Sequence, residues 1–266
     1  MKSRNDFEIW ADWYGNWKGR QAEIPWQQHK ALTMAERLAI QDSIAEFQLG
    51  ESSDGKLFFA AAVGYAGKSG DASFAEAIRD FIREENRHSE MLGRFMDLEG
   101  ISRIKHSRVD GIFRRIRHMA SHVVSHRILV TAEFIAVPYY RALSKATCSP
   151  VLNAICKQIL EDEARHIAFQ AAAIRALSSG GTVKKSLHHS FSRLLLEIAL
   201  DVVWWNHSDV MRRGGYTFGK MRAEAIEQFD WCMGMVANEI PIQNPKQIDP
   251  SQRSPERDFH VVQPVF

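Results

Sequence analysis

Apolar positions along the chain fall mostly at helical spacing, and no stretch alternates apolar and polar residues for long enough to make a strand. That pattern predicts an all-α fold. Trp10, Trp13 and Trp17 share helical spacing near the start. Their rings are expected to pack a short helix onto the bundle, as core or interface groups rather than a cofactor box. Thr33 with Glu36 reads as a capping box and opens a helix from 34 to about 67. Lys68-Ser69-Gly70-Asp71 is a turn, and a second helix runs from about 72 to 98, where Gly100 ends it. Residues 101–118 read as a crossing segment, followed by a third helix to about 145 that contains Glu133. Ser149 caps a fourth helix with Pro150 at its first position, and Gly180-Gly181 ends it. Two more helices are expected at about 183–212 and 218–238. The tail, 239–266, holds five of the eight prolines and is expected to be extended. The division that follows is a Trp-rich extension (1–32, including Trp26), a helical domain (33–240) and a Pro-rich tail (241–266).

Composition narrows this only a little. A chain of 266 residues can bury a substantial core as one large domain. Hydrophobic residues at 45% and charged residues at 25% are ordinary for a soluble globular protein. A net charge of +2 gives no reason to expect a nucleic-acid partner. Cys148, Cys156 and Cys232 are too few and too scattered for a disulfide framework or a thiolate zinc site, so a reducing, cytoplasmic setting is expected. Residues 1–10 carry no apolar run of signal-peptide length. The most apolar stretches, 57–66 and 194–205, are short or interrupted by Glu197 and Asp201, so no membrane span is expected.

One short signature occurs twice: Glu84-Glu85-Asn86-Arg87-His88, then Asp162-Glu163-Ala164-Arg165-His166. In a helix, residues three apart share a face, so Glu85 pairs with His88 and Glu163 with His166. Carboxylate oxygen plus neutral imidazole is half of a metal site. Two halves, each completed by a lone Glu from another helix, make a dinuclear centre. Helix rise tests which lone Glu belongs. Glu51 lies about 17 residues before the turn near 68 and Glu85 about 16 after it, so both stand roughly 24–25 Å from that turn. Glu133 and Glu163 stand roughly 21–23 Å from the loop at 147. Glu46 is the rival to Glu51, but it is turned about 140° away and displaced by about one turn. The segment Gly50-Glu51-Ser52-Ser53-Asp54-Gly55 is poor helix material, which suits either space beside the metals or close helix packing. A metal-bound histidine usually donates its other N–H to a carboxylate. Asp162 is therefore assigned to His88 and Glu84 to His166, across the bundle, with Arg87 and Arg165 offsetting the outer carboxylates.

At these residues the chain resembles the ferritin-like diiron carboxylate superfamily, and the motif wording looks most like the soluble acyl-carrier-protein desaturases. The resemblance covers about residues 34–180. It implies a ferritin-like four-helix bundle with additional N- and C-terminal helices. It also implies two irons, or an iron–manganese pair, that react with O2 after reduction by an external electron donor such as a ferredoxin-like or flavin reductase. By matching, Glu51, Glu85, His88, Glu133, Glu163 and His166 become the metal ligands, with Glu85 and Glu163 as bridges. Two positions depart from related patterns. The desaturases place threonine where Ala136 stands, and the p-aminobenzoate N-oxygenases place histidine where Ile159 stands.

The expected function is an O2-dependent non-haem diiron oxidase or oxygenase of a hydrophobic, carrier-bound or free substrate, acting as a homodimer. The alternative is a ferroxidase or iron store without organic substrate. The roughly 85 residues after the fourth helix, enough to cover a cavity, favour the oxidase. Phe58, Phe59, Phe134, Ile135 and Ile167 are candidates for a substrate pocket, against plain core packing. Pro138 is expected to kink the third helix. Tyr139 and Tyr140 lie more than a turn beyond Glu133, near enough to raise a redox role. The basic segment 103–127 could dock an acidic carrier, a reductase or an anionic substrate, against a solvated face. His118, His122 and His126 at four-residue spacing read as a polar face, with a metal site of their own as the alternative.

Overall fold

The computed structural model describes residues 6–16, 23–52, 55–107, 121–178, 182–241 and 243–248. Among them run α1 Asp6–Gly15, α2 Met34–Glu51, α3 Lys56–Ser69, α4 Ala72–Glu99, α5 His122–Ala146, α6 Pro150–Leu177, α7 Thr182–Arg213 and α8 Phe218–Ala237. Single 3-10 turns lie at Trp26–Gln28 and Pro245–Gln247, and the described residues hold no strand. The all-α expectation is met.

The local signals act where they were placed. Thr33 and Glu36 form the reciprocal capping box at the start of α2. Glu36 also accepts the backbone N–H of Cys148 at 2.8 Å, which ties that helix start to the link between α5 and α6. Ser149 caps α6, with Pro150 in its first turn, and Gly100 closes α4 in the left-handed region at φ 62°.

One expectation fails. The helix expected from 34 to about 67 is two helices, α2 and α3, broken after Glu51. Ser52 turns to an extended ψ of 120°, and Gly55 stands at φ 58°. Any Cβ at position 55 would also come within 2.5 Å of the Ile82 side chain, so glycine is required twice over. The poor helix formers at 50–55 cause the break. The two pieces continue in series, so Glu51 and Glu85 still reach one level.

The four-rod core is α2 with α3, α4, α5 and α6, and α5 and α6 make the most extensive contact. The link between those two is only residues 147–149, which makes them antiparallel neighbours. α7 lies over α5 and α2, and α8 over α5 and α6. α5 runs unbroken past Pro138, which is buried within it. The end of α7 is pinned to α5: Arg213 donates to the Ala146 carbonyl at 2.7 Å, and Gly214 lies directly on the backbone of Ala142.

α1 lies along α4 and buries Phe7, Trp10 and Tyr14. Their rings meet Phe74, Phe81 and Phe169, with Phe7 and Phe74 centred 4.8 Å apart. Trp10 does the packing expected of it, Trp13 stacks under the Arg165 guanidinium, and Trp17 lies outside the described residues. Arg127 is not part of any solvated basic face. It is buried, and donates to the Ser192 hydroxyl at 2.9 Å between α5 and α7. Arg108, Arg114, Arg115 and Arg117 lie outside the described residues, as does the tail beyond 248.

Candidate metal centre

α2, α4, α5 and α6 each bring ligand-type side chains to one level of the bundle. Two groups of four converge there, each with one ligand atom per residue and all four atoms within 4.8 Å of one another. The first is Glu51, Glu85, His88 and Glu163, and the second is Glu85, Glu133, Glu163 and His166. Glu85 and Glu163 belong to both. All six residues named from the sequence thus meet. Glu46 does not join them; it lies near His207, with 3.7 Å between its carboxylate and the ring nitrogen.

The atoms that face the middle face only one another. Glu85 Oε1, both oxygens of Glu163, His88 Nδ1 and His166 Nδ1 are buried without a well-directed hydrogen bond, with His166 Nδ1 at 2.8 Å from Glu85 Oε1 and His88 Nδ1 at 3.6 Å from Glu51. Buried polar groups are normally satisfied, and five orphans pointing into one small volume are the signature of a site built for cations. The outward nitrogens are satisfied. His88 Nε2 meets Asp162 at 3.1 Å, and His166 Nε2 meets Glu84 at 3.1 Å. Both pairs cross between α4 and α6, as assigned from the sequence. Each imidazole is then held through Nε2, so that Nδ1 is the nitrogen left to offer its lone pair inward once the ring is neutral.

Asp162 is held more heavily than expected. Arg87 reaches it at 2.6 Å and Gln158 at 2.9 Å, and Arg87 also lies 3.7 Å from Glu84. Arg165 does not serve an outer carboxylate. It donates to the backbone carbonyls of Glu161 and Pro245, because its position on α6 points it outward, over the Trp13 ring. Glu51, the last residue of α2, accepts a hydrogen bond from the buried hydroxyl of Tyr140. Sequence spacing gave Tyr140 no such role.

The electrostatics describe an assembly that takes up protons when cations are absent. Burial, reinforced by Glu133, pushes Glu85 up to about 8 and Glu163 well above the usual carboxylate range. Burial alone would depress His88, but Asp162 and Glu51 outweigh it and raise the ring to about 9. His166 is raised as well, against its burial, chiefly by Glu85. Asp162 is depressed to about 2, since the His88 and Arg87 contacts overcome its burial. Divalent ions entering here would displace these protons. The donor set is hard oxygen with two imidazoles and no thiolate, which fits iron or manganese. Exchanging Asp162 for Asn leaves the His88 tautomer unenforced, and metal affinity is expected to fall roughly tenfold. Equilibrium dialysis against ferrous or manganous ion measures this, and unchanged affinity rules out the orienting role.

A cavity of about 210 Å³ opens onto Glu51, Glu85 and Glu133. It passes between α2, α5 and α7, along Phe47, Ile128, Ala132, Ile135, Ala136 and Val203, to Glu46 and His207. Of the apolar residues proposed for a pocket, Ile135 lines it, whereas Phe58, Phe134 and Ile167 are bundle core. Phe59 packs, partly buried, against that core. His207 was not foreseen. It interrupts α7 with φ −124°, and its Nδ1 lies 2.9 Å from the Ser43 hydroxyl, which meets Tyr139 at 3.0 Å.

Neither a protein-family model nor a curated protein sequence matches the chain. Solved structures do. An R2-like ligand-binding oxidase variant with an anaerobically reconstituted Mn/Fe cofactor superposes with a TM-score of 0.59 at 16% identity, covering 88% of this chain and 93% of that one. A second variant, aerobically reconstituted, gives 0.58 at 16% identity, with the same coverage. The R2-like ligand-binding oxidase with an aerobically reconstituted Mn/Fe cofactor gives 0.54 at 17% identity, over 86% and 91%. At this identity the likeness establishes a shared fold, the ferritin-like helical bundle.

Proposed function

We propose that the chain is an O2-dependent oxidase or oxygenase with a dinuclear iron or manganese–iron centre, acting on a hydrophobic substrate. The observation that carries this is the convergence of five orphaned inward atoms on two positions that share Glu85 and Glu163. Glu51, Glu85, His88, Glu133, Glu163 and His166 would hold the ions, and the Mn/Fe cofactor of the structural neighbours supports a dinuclear assignment. Reduced ions of this kind supply O2 with electrons and so make it able to attack C–H bonds. The chain does the rest. Asp162 and Glu84 fix the two imidazoles, Tyr140 steadies Glu51, and the apolar cavity walls keep water from the reacting end of the substrate.

The cavity is somewhat larger than a void of about 150 Å³ that accepts benzene, so it takes a ring or a short length of chain, with any longer part protruding. This also weighs against the iron-storage reading, which has no use for an apolar cavity at the carboxylates. A ferredoxin-like or flavin reductase as donor, and a homodimer as the working form, belong to the same proposal.

The test is single-turnover oxidation of reduced, metal-loaded protein with fatty acyl carriers and free acids, read by mass spectrometry. Loss of two hydrogens identifies desaturation, and gain of oxygen identifies oxygenation. Oxidation of metal with every substrate unchanged would favour the ferroxidase reading. Ala132→Phe, which narrows the cavity at a residue that is not itself a proposed ligand, is expected to keep full metal loading and lower substrate oxidation about a hundredfold. Undiminished oxidation would move the substrate out of this cavity.

A further inference from the structure

A second cluster of buried ligand atoms lies away from the carboxylate centre, at the start of α5. His122 is the first residue of that helix and His126 lies one turn later on the same face, with the ring centroids 4.9 Å apart. His126 is fully buried, and its Nδ1 meets the amide oxygen of Gln170 on α6. An amide oxygen only accepts, so Nδ1 carries the proton and Nε2 carries the lone pair. That Nε2 and the Nε2 of His122 are both buried without a partner. The rings of Phe58 and Phe74 surround the pair: Phe58 is 4.7 Å from His126, and Phe74 is 5.8 Å from His122.

This cluster is separate from the first. His126 precedes Glu133 on α5 by seven residues and Gln170 follows Glu163 on α6 by seven, which places the layer about two turns, roughly 10 Å, from the carboxylates. Burial depresses both rings, His126 to about 3, with Gln170 and His122 as the other influences on it and no carboxylate among them. Both imidazoles are therefore neutral at physiological pH, with no proton to displace.

We propose that His122 and His126 form a second cation site, independent of the carboxylate centre, that takes a monovalent d10 ion, Cu(I), on two imidazole nitrogens. The charge decides the ion. Among the described residues no carboxylate acts on either ring, so a divalent cation enclosed by these phenyl rings would be left uncompensated, which is costly. A monovalent ion satisfied by two borderline nitrogen donors carries less of that penalty. The half-buried His122 at the helix start provides the entry path, and Gln170 positions the inner ring.

The test uses full-length protein with its carboxylate centre first filled with Fe(II) under anaerobic conditions. Cys148→Ser is included because that exposed free thiol would bind Cu(I) itself. Titration with Cu(I) against a chromophoric chelator is expected to show one tight equivalent per chain, with two imidazole nitrogens around copper by X-ray absorption. His122→Gln and His126→Gln are each expected to weaken binding at least about tenfold, with iron loading unchanged. His122→Gln carries the decision if the buried variant fails to fold. Absence of a tight equivalent, retention unaffected by His122→Gln, or preferential uptake of Zn(II) would each overturn the proposal.

Discussion

Glu163→Gln protein is expected to retain neither metal ion through desalting, while folding as well as the metal-free parent. Glu163 is almost wholly buried, both its oxygens lack partners, and it is the carboxylate of α6 common to both donor groups. An amide of the same shape removes the shared anionic donor at one stroke. The parent should gain about 2.7 kcal/mol for each site filled at a hundredfold excess over its dissociation constant. That corresponds to several degrees in Tm for a chain of this size. The variant should gain nothing.

The metal-free proteins differ in a second, pH-dependent way. An acid whose folded pKa is raised holds more protons folded than unfolded, so its stability contribution falls as pH rises above the unfolded value near 4.5. Glu85, raised to about 8, and His88, raised to about 9, act in the same direction. Metal-free parent should therefore lose stability between about pH 5 and pH 9, and Glu163→Gln should show a shallower loss. Calorimetry across that range, with metal analysis by mass spectrometry, reads both effects. A variant that loads two ions like the parent would show that the centre is not built around this carboxylate.

Gly214→Ala is expected to cost about 3 kcal/mol, the upper end of ordinary overpacking, and to lower Tm by about 6–12 °C. A Cβ at 214 would lie 2.2 Å from the Ala142 carbonyl oxygen and 2.6 Å from its Cα. These are backbone atoms about one turn from the end of α5, held in its hydrogen-bonded ladder, and they cannot step aside as a side chain would. The only relief is to lift the end of α7 off α5, which also breaks the Arg213 bond to Ala146. Gly219→Ala is the control. Its Cβ meets nothing closer than 3.9 Å, and alanine early in α8 should be neutral or slightly stabilising. Equal melting of the two variants would deny that close approach.

The convergence of the six side chains was legible because it depends on spacing. Glu85–His88 and Glu163–His166 share faces by helix geometry alone, and arithmetic on rise from the turns placed Glu51 and Glu133 at their level. The carboxylate–imidazole crossings followed from what a ligating histidine requires of its other nitrogen. The break after Glu51 was visible as poor helix material, but not as a break, because local cost does not say whether tertiary packing will override it. Arg127 sat in a basic run, yet its burial depends on Ser192, 65 residues later. Tyr140 on Glu51 and His207 at the cavity mouth were hidden for the same reason. Each is fixed by a contact between distant helices, with no period in the sequence to betray it.

The end of α2 at Glu51 makes the two halves of the centre mechanically unequal. Glu133 is embedded mid-helix in α5, whereas Glu51 ends its helix and is held by the Tyr140 hydroxyl, with His88 at 3.6 Å. Under the proposed two-metal reading, the position beside Glu133 would hold its geometry more rigidly, and the position beside Glu51 would yield more readily to the size of the ion it receives.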